Sequence, residues 1–418
     1  MQNKKNENQE NHAPERVLIV AVQKKGEPSI EAELRELERL VEAAGGETVA
    51  IATQSLEKFH PRTYVGKGKL EELAALCQAD EIDAVVFNDE LSGSQLKNLE
   101  DQFQRKITDR TALILEIFAK RASSSEGRLQ VELARLRYRL PRLTGLRSDL
   151  SRAGVGISGR GPGEKRSELD KRYLLRRIEE IESKLKKLEK TREVTRKQRV
   201  KSEMPIVLMV GYTNAGKSTL MNNLVEDEDK AVFTKDMLFA TLDTALRQCA
   251  LPSGRNFLLG DTVGFVSKLP TTLIEAFKGT LEEVVEADLL LHVLDGSSDD
   301  IEMQYKTTMS VLETLEVRDK PMIVVYNKKD LIKGSEVLHM GDTVSISAKS
   351  GEGVDELLEK LEAMIYEPLQ EKELLLPMSA GALVNQLHQE KRILETRYEA
   401  EGIYVRAMWK KEELERWS

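Results

Sequence analysis

The chain has 418 residues, and its 63 Lys and Arg against 71 Asp and Glu leave a formal charge of −8. With 40% apolar and 32% charged residues it suits folded domains, and its 26 Gly and 11 Pro are too few for a collagen-like or low-complexity chain. The two cysteines, Cys77 and Cys249, are too distant in sequence to suggest a disulfide scaffold or metal pair, and the polar start MQNKKNENQENHAPE has no signal-like apolar core, so a cytoplasmic protein without integral membrane contact is expected.

After a disordered stretch expected over 1–15, residues 16–110 alternate aliphatic runs with helical patterns. The runs Val17–Val22, Thr48–Ala52, Ala84–Phe87 and Lys106–Thr108 read as strands, and Ser29–Ala44, Lys67–Cys77 and Ser94–Phe103 read as helices. Strands apolar on both faces, alternating with helices, predict a parallel α/β domain.

Residues 111–201 read as a basic helical hairpin. Leu129, Leu133, Leu136 and Leu140 form one 3.5-period seam; Leu174, Ile178, Ile181, Leu185 and Leu188 form another. Each is too narrow for a globular core and suits pairing with the other, with a glycine-rich tip over 144–163. Residues 120–201 hold 25 Lys and Arg against 11 Asp and Glu, a net of +14 that leaves −22 elsewhere. Such a basic segment on an acidic chain points to a polyanionic partner. Arg142, Arg147, Arg152, Arg160 and Lys165 flank the tip, where guanidinium groups can meet RNA phosphates and unpaired bases.

The strand–helix rhythm returns over 205–366, with strands expected at Ile206–Gly211, Leu246–Leu251, Asn256–Gly260, Leu289–Leu294, Met322–Tyr326 and Thr343–Ser347. A small α+β unit is expected over 367–418, with a strand at Glu373–Leu376, a helix across Leu383–Leu394 and a strand at Gly402–Trp409. The fold class expected is thus α/β multidomain.

The chemistry concentrates in the third segment. Gly211, Tyr212, Thr213, Asn214, Ala215, Gly216, Lys217 and Ser218 make a full GxxxxGKS pattern between a strand and a helix that continues at Thr219. That context makes a phosphate-binding loop: backbone N–H groups turn inward on phosphates, Lys217 reaches the β- and γ-oxygens, and the Ser218 hydroxyl ligates Mg²⁺. Asp261, Thr262, Val263 and Gly264 end another strand, placing a carboxylate for Mg²⁺ and a Gly N–H for the γ-phosphate. Asn327, Lys328, Lys329 and Asp330, then Ser347, Ala348 and Lys349, end two more. A carboxylate at that edge can accept from guanine N1–H and N2–H₂, a donor pair that adenine lacks. Tyr64-Val-Gly-Lys-Gly-Lys69 lacks the rest of such a pattern and reads as a turn and helix start. The five histidines form no metal or triad cluster.

The order GxxxxGKS, DTVG, NKKD, SAK resembles the GTP-binding domain of translation-factor-related GTPases. The whole chain from Val17 to Trp409 resembles the HflX family of ribosome-associated GTPases. The motifs that carry this are Tyr64–Lys69, Asp109-Arg-Thr-Ala-Leu-Ile114, Leu129-Gln-Val-Glu-Leu133, Gly159-Arg-Gly-Pro-Gly-Glu164, Phe239-Ala-Thr-Leu-Asp243 and Asp261-Thr-Val-Gly-Phe265. The resemblance implies GTP and GDP as ligands, with Asn327 and Asp330 on guanine, Lys328 over its ring and Ser347 to Lys349 closing the base pocket. It makes Phe239, Ala240, Thr241, Leu242 and Asp243 the first switch loop, with Thr241 a second Mg²⁺ ligand; the usual continuation Pro-Thr-Thr-Arg here reads Thr244-Ala-Leu-Arg247. Asn214 could hold K⁺, or simply stabilise its own loop.

Phe265 stands where many GTPases place a water-orienting Gln, which predicts slow hydrolysis unless a partner assists. The partner implied is the large ribosomal subunit, with the hairpin near the peptidyl-transferase centre and the protein acting as a monomer that dissociates or rescues ribosomes. The alternative from another class is a regulatory G protein whose coiled hairpin binds a protein.

Overall fold

The computed structural model describes residues 13–150, 162–199, 204–225, 245–277, 283–317, 320–332, 342–390 and 392–417. They divide into two compact units: residues 1–188 with Lys268–Phe277, and Glu189–Ser267 with Lys278–Ser418. The disordered start expected over 1–15 lies mostly outside the described residues.

The first unit is built on a four-stranded parallel sheet of order β2-β1-β3-β4, comprising β1 (Glu15–Lys24), β2 (Gly46–Leu56), β3 (Ala84–Phe87) and β4 (Lys106–Asp109). Leu18, Val20, Val85 and Phe87 are buried with Leu70, Leu73 and Leu99 from the helices, each such side chain contributing roughly 1.5–3 kcal/mol. The connecting helices are α1 (Glu31–Ala44), α2 (Lys67–Ala79) and α3 (Gly93–Phe103). Ser92 and Gln95 start α3 with a reciprocal capping box. Tyr64-Val-Gly ends in the turn that opens α2, with Tyr64 buried against Phe87, its hydroxyl bonded to Asp89.

Asp109 ends β4 and caps α4 (Arg110–Arg121), accepting from the Ala112 N–H at 2.9 Å. Arg110 is buried and paired with Glu36 of α1. Two long helices follow, α5 (Ser125–Leu150) and α6 (Pro162–Arg199). Their seams meet as the spacing predicts: Leu133 and Leu136 bury against Leu174, Ile178 and Ile181, with Leu129, Leu140 and Leu185 packed alongside. A two-pronged Arg177–Glu132 pair crosses the seam at 2.7 and 3.0 Å. Lys268–Phe277 also belongs to this unit. Lys268 pairs with Glu33 at 2.6 Å and Asp89 at 2.8 Å, Leu273 is buried, and Phe277 meets Phe118 edge-on.

The second unit holds a six-stranded sheet of order β10-β9-β8-β5-β7-β6. Its strands are β5 (Ile206–Gly211), β6 (Ala245–Ala250), β7 (Asn256–Asp261), β8 (Leu289–Asp295), β9 (Met322–Asn327) and β10 (Thr343–Ser345). All pairs are parallel except β6 against β7. α7 (Lys217–Leu224) follows β5, and Leu220 and Met221 bury among Val207, Leu259 and Leu291 of the sheet.

A second, antiparallel sheet of order β11-β13-β12 comprises β11 (Gln370–Leu376), β12 (Ile393–Glu399) and β13 (Gly402–Trp409). Here the expected helix across Leu383–Leu394 is corrected. It occupies Gly381–Gln389, and Ile393 begins a strand. Arg392 is the reason for the stop: it is buried, bonds the Met408 carbonyl at 2.8 Å and pairs with Glu390 and Glu413, which draws the chain back onto β13. Among the described residues no helix is long and apolar enough to cross a membrane.

Candidate functional site: a phosphate loop and a base pocket at one sheet edge

Parallel strands deliver their loops to a common carboxyl edge, and the chain leaves β5 between β8 and β7, where strand order reverses and such sheets bind ligands. Gly211 ends β5, and the turn through Thr213 and Asn214 leads to Gly216, whose φ of +93° opens α7. A side chain at Gly216 would meet both an unfavourable φ and the Asn327 amide.

Lys217 is buried, and its ammonium donates to the carbonyls of Gly211 at 3.0 Å and Tyr212 at 2.8 Å, so it lies inside the loop. Burial pushes its pKa down to about 8, and the Asp261 charge opposes part of that fall. The Ser218 hydroxyl donates to Asp261 Oδ2 at 2.6 Å. A hydroxyl and a carboxylate side by side are the hard oxygen donors Mg²⁺ takes, so these residues fit that ion.

The end of β7 is stitched to the phosphate loop. Thr213 N–H donates to the Phe265 carbonyl at 2.8 Å, and Phe265 N–H donates to the Gly211 carbonyl at 3.1 Å. Thr262 donates to the Met209 carbonyl at 2.7 Å, Val263 is buried, and a Cβ at Gly264 would lie 2.7 Å from Thr213 Cα. Only glycine allows the two segments to run this close. The Phe265 ring is buried, so its place is structural packing and it brings no polar atom to an attacking water.

Asn327 is a clamp. Its Nδ2 donates to the Ala215 carbonyl and its Oδ1 accepts from Ala348 N–H, both at 2.8 Å, tying the phosphate loop to the SAK turn. Asp330 is exposed at this edge and oriented by the Ser347 hydroxyl at 2.6 Å. Lys328, at φ +63°, is tethered to Asp295 at 2.7 Å, and Lys329 pairs with Glu352 at 2.8 Å. Lys349 is exposed beside the pocket. Asn214 is exposed at φ +61°, a backbone state that Asn tolerates better than most residues, and Thr219 lies in the first turn of α7.

Sequence reasoning missed two supports. Asp295 ends β8 as Asp261 ends β7, and that terminal position was the available signal. Asn223, which donates to the Ala348 carbonyl at 2.9 Å, sits in the last turn of α7 and gave none.

Other expected residues fall outside the description or elsewhere in the fold. Phe239, Ala240, Thr241, Leu242 and Asp243 lie outside the described residues, as do Arg152 and Arg160. Arg147 and Lys165 lie on the backbones of α5 and α6, their side chains outside the description. Arg142, expected to face RNA, is instead buried in the first unit: it pairs with Asp109 at 3.0 Å and Glu90 at 3.1 Å and donates to the Leu91 carbonyl at 2.8 Å. With both terminal nitrogens of its guanidinium committed there, it is a strut.

A phosphate loop, a hydroxyl–carboxylate pair and a guanine-type acceptor at one edge of a doubly wound sheet define a P-loop GTPase. Family comparisons agree: residues 31–119 match the family described as "GTP-binding GTPase N-terminal", 121–199 the "GTP-binding GTPase Middle Region", and 206–328 the "50S ribosome-binding GTPase". A GTPase HflX of Caldanaerobacter subterraneus subsp. tengcongensis is 47% identical over 94% of this chain and 90% of its own. One from Lacrimispora saccharolytica is 44% identical over 94% and 93%, and one from Escherichia coli 39% over 88% of both. The chain belongs to the HflX family of GTPases, and it is a GTP-hydrolysing enzyme.

Proposed function

We propose that this protein is a GTP-switched factor for the large ribosomal subunit, which meets ribosomal RNA near the peptidyl-transferase centre through its basic hairpin and dissociates or rescues stalled or idle ribosomes. The observation that carries the reading is the match of residues 206–328 to a family described as a 50S ribosome-binding GTPase, on a chain similar to HflX proteins along almost its whole length.

In the proposed reaction, Lys217 leaves the loop carbonyls for the β- and γ-phosphates, whose charge then favours its ammonium form. Ser218 and Asp261, with Thr241 from the first switch, are the residues that would hold Mg²⁺, and the ion would supply positive charge against the phosphate charge that develops. Gly264 N–H senses the γ-phosphate, while Asp330 reads guanine and Lys328, tethered by Asp295, covers the ring. Water attacks the γ-phosphorus and the bond to the β-bridging oxygen breaks, releasing GDP and phosphate. With Phe265 buried, the group that orients water comes from the docked ribosome; Asn214 is the residue that would hold K⁺, which would add positive charge.

The test is co-sedimentation with purified large subunits and a non-hydrolysable GTP analogue at rising salt. Binding that falls steeply with salt is expected for an RNA partner. No binding, or salt-insensitive binding, overturns the reading in favour of a G protein whose hairpin takes a protein partner.

A further inference from the structure

With Arg142 committed to the interior, the question is which basic groups of the first unit are available. On α5, Arg137 is also paired, with Glu182 at 2.9 Å and Glu275 at 3.1 Å. Arg128, Arg135 and Arg139 differ. All three are exposed, and none of their side chains has an ion pair or hydrogen bond among the described residues. Their spacings of seven and four residues, at about 100° per residue, put them within roughly 40° of one another on a row about 16 Å long.

The row borders a groove of about 340 Å³ between α4 and α5, floored by Ala119, Ala122 and Val131, with Leu136 also lining it. The carboxylate lining it, Glu132, is already neutralised by the two-pronged Arg177 pair. Small side chains let an extended backbone come close, while unpaired guanidinium forks wait along the edge.

We propose that this face of α5 is a docking surface for an RNA phosphate backbone, separate from the glycine-rich tip. The proposal rests on the ribosomal reading for its partner in the cell, but the chemistry is that of any RNA strand. Arg presents a planar fork that matches phosphate oxygens with two hydrogen bonds. A protein partner is the weaker match. Protein interfaces draw their energy from large side chains seated in pockets, and here the two larger apolar side chains of the groove, Val131 and Leu136, are already buried in this unit, leaving mainly alanine methyls and arginines to a partner. Because phosphate contacts position rather than specify, this surface fixes the hairpin on its RNA without reading sequence.

The experiment compares the full-length wild type with R128Q/R135Q/R139Q on two probes: a 20-bp RNA duplex, followed by fluorescence anisotropy, and purified large ribosomal subunits, followed by sedimentation. Both are titrated with salt. Since the three side chains have no partners to lose, the variant should melt with the wild type. Its duplex affinity should fall about tenfold or more at low salt, and its log–log salt slope should shrink by about 2–3, near one unit per lost phosphate contact. R128K/R135K/R139K, which keeps the charge, should recover most of the slope.

Unchanged duplex affinity and slope in the Gln variant would overturn the proposal. Unchanged duplex binding with weakened subunit binding would also overturn it, by assigning the face to a protein. If the wild type binds duplex through these arginines yet does not bind subunits, the surface stands and the ribosomal reading falls. If subunits bind steeply and the Gln variant behaves as wild type on both probes, the surface falls and that reading stands.

Discussion

Lys217 shows how burial tunes a single residue for its ligand. Its free-site pKa near 8 comes from desolvation, and polyphosphate would raise it by supplying opposite charge. Above pH 8 the free site is increasingly neutral, so binding must take up a proton and affinity should fall about tenfold per pH unit. Calorimetry at pH 9 in two buffers of different ionisation enthalpy should report close to one proton taken up per GTP; no uptake would contradict the assignment. Asp330→Asn tests the base reader, because an amide can donate to a xanthine 2-oxo group. Preference should move from GTP to xanthosine triphosphate, and full retention of GTP preference would remove Asp330 from the role. His292 of β8 is buried with neither ring nitrogen hydrogen-bonded, stacked on Tyr305, and desolvation lowers its pKa to about 3. The unfolded state takes a proton below about pH 6.5 and the folded state does not, so this residue's share of stability is fully present above pH 6.5. It is lost as pH falls towards 3, by up to about 1.4 kcal/mol per unit. Denaturant melts of His292→Leu should therefore lose less stability between pH 7 and 5 than the wild type, and equal losses would contradict this.

At the scale of elements, α5 is held at two places by different physics: a leucine seam against α6, and Arg142 against Asp109 and Glu90. Asp109 does three things there, capping α4, accepting from the Leu91 N–H at 2.9 Å and pairing with Arg142. Removing one partner of a buried pair leaves the other uncompensated, so Arg142→Ala should cost about 3 kcal/mol or more in denaturant unfolding. It should do so without altering the salt slope for RNA, and a stable variant with a flattened slope would restore Arg142 as an RNA contact. The seam was legible in the sequence because a 3.5-residue period survives any context, and so were the parallel strands, because apolar runs such as Val17–Val22 have one reading when helices flank them. Arg142 was not legible, since a basic residue beside a basic tip carries no mark of the carboxylates it will meet. The strand Ile393–Glu399 was hidden for a similar reason: most of it is exposed, and its start is set by Arg392 reaching Glu413, across 21 residues. Within the site, the glycines and the order of motifs announced the phosphate loop, whereas the clamp role of Asn327 needed coordinates, because both its partners are backbone atoms of other loops.

For the whole molecule, a charge of +14 over residues 120–201 on a chain of −8 separates a polyanion-seeking arm from an acidic remainder. If the partner is RNA, as proposed, electrostatics of that kind should speed the encounter and make it salt-sensitive. The nucleotide site supplies the timing. Its phosphate loop, the Ser218–Asp261 pair and the turns that carry Asp330 and Ser347 meet at one sheet edge, while the residue after DTVG is a buried phenyl ring with nothing to offer a water. The free protein is therefore expected to hold GTP and hydrolyse it slowly, and on the proposed function the large ribosomal subunit completes the site. The direct measurement is GTP turnover with and without purified large subunits at moderate salt. The expected rate is near that of an unassisted small GTPase, about 10⁻⁴–10⁻³ s⁻¹, rising by at least about tenfold with subunits. Fast turnover by the protein alone, with no response to subunits, would contradict it.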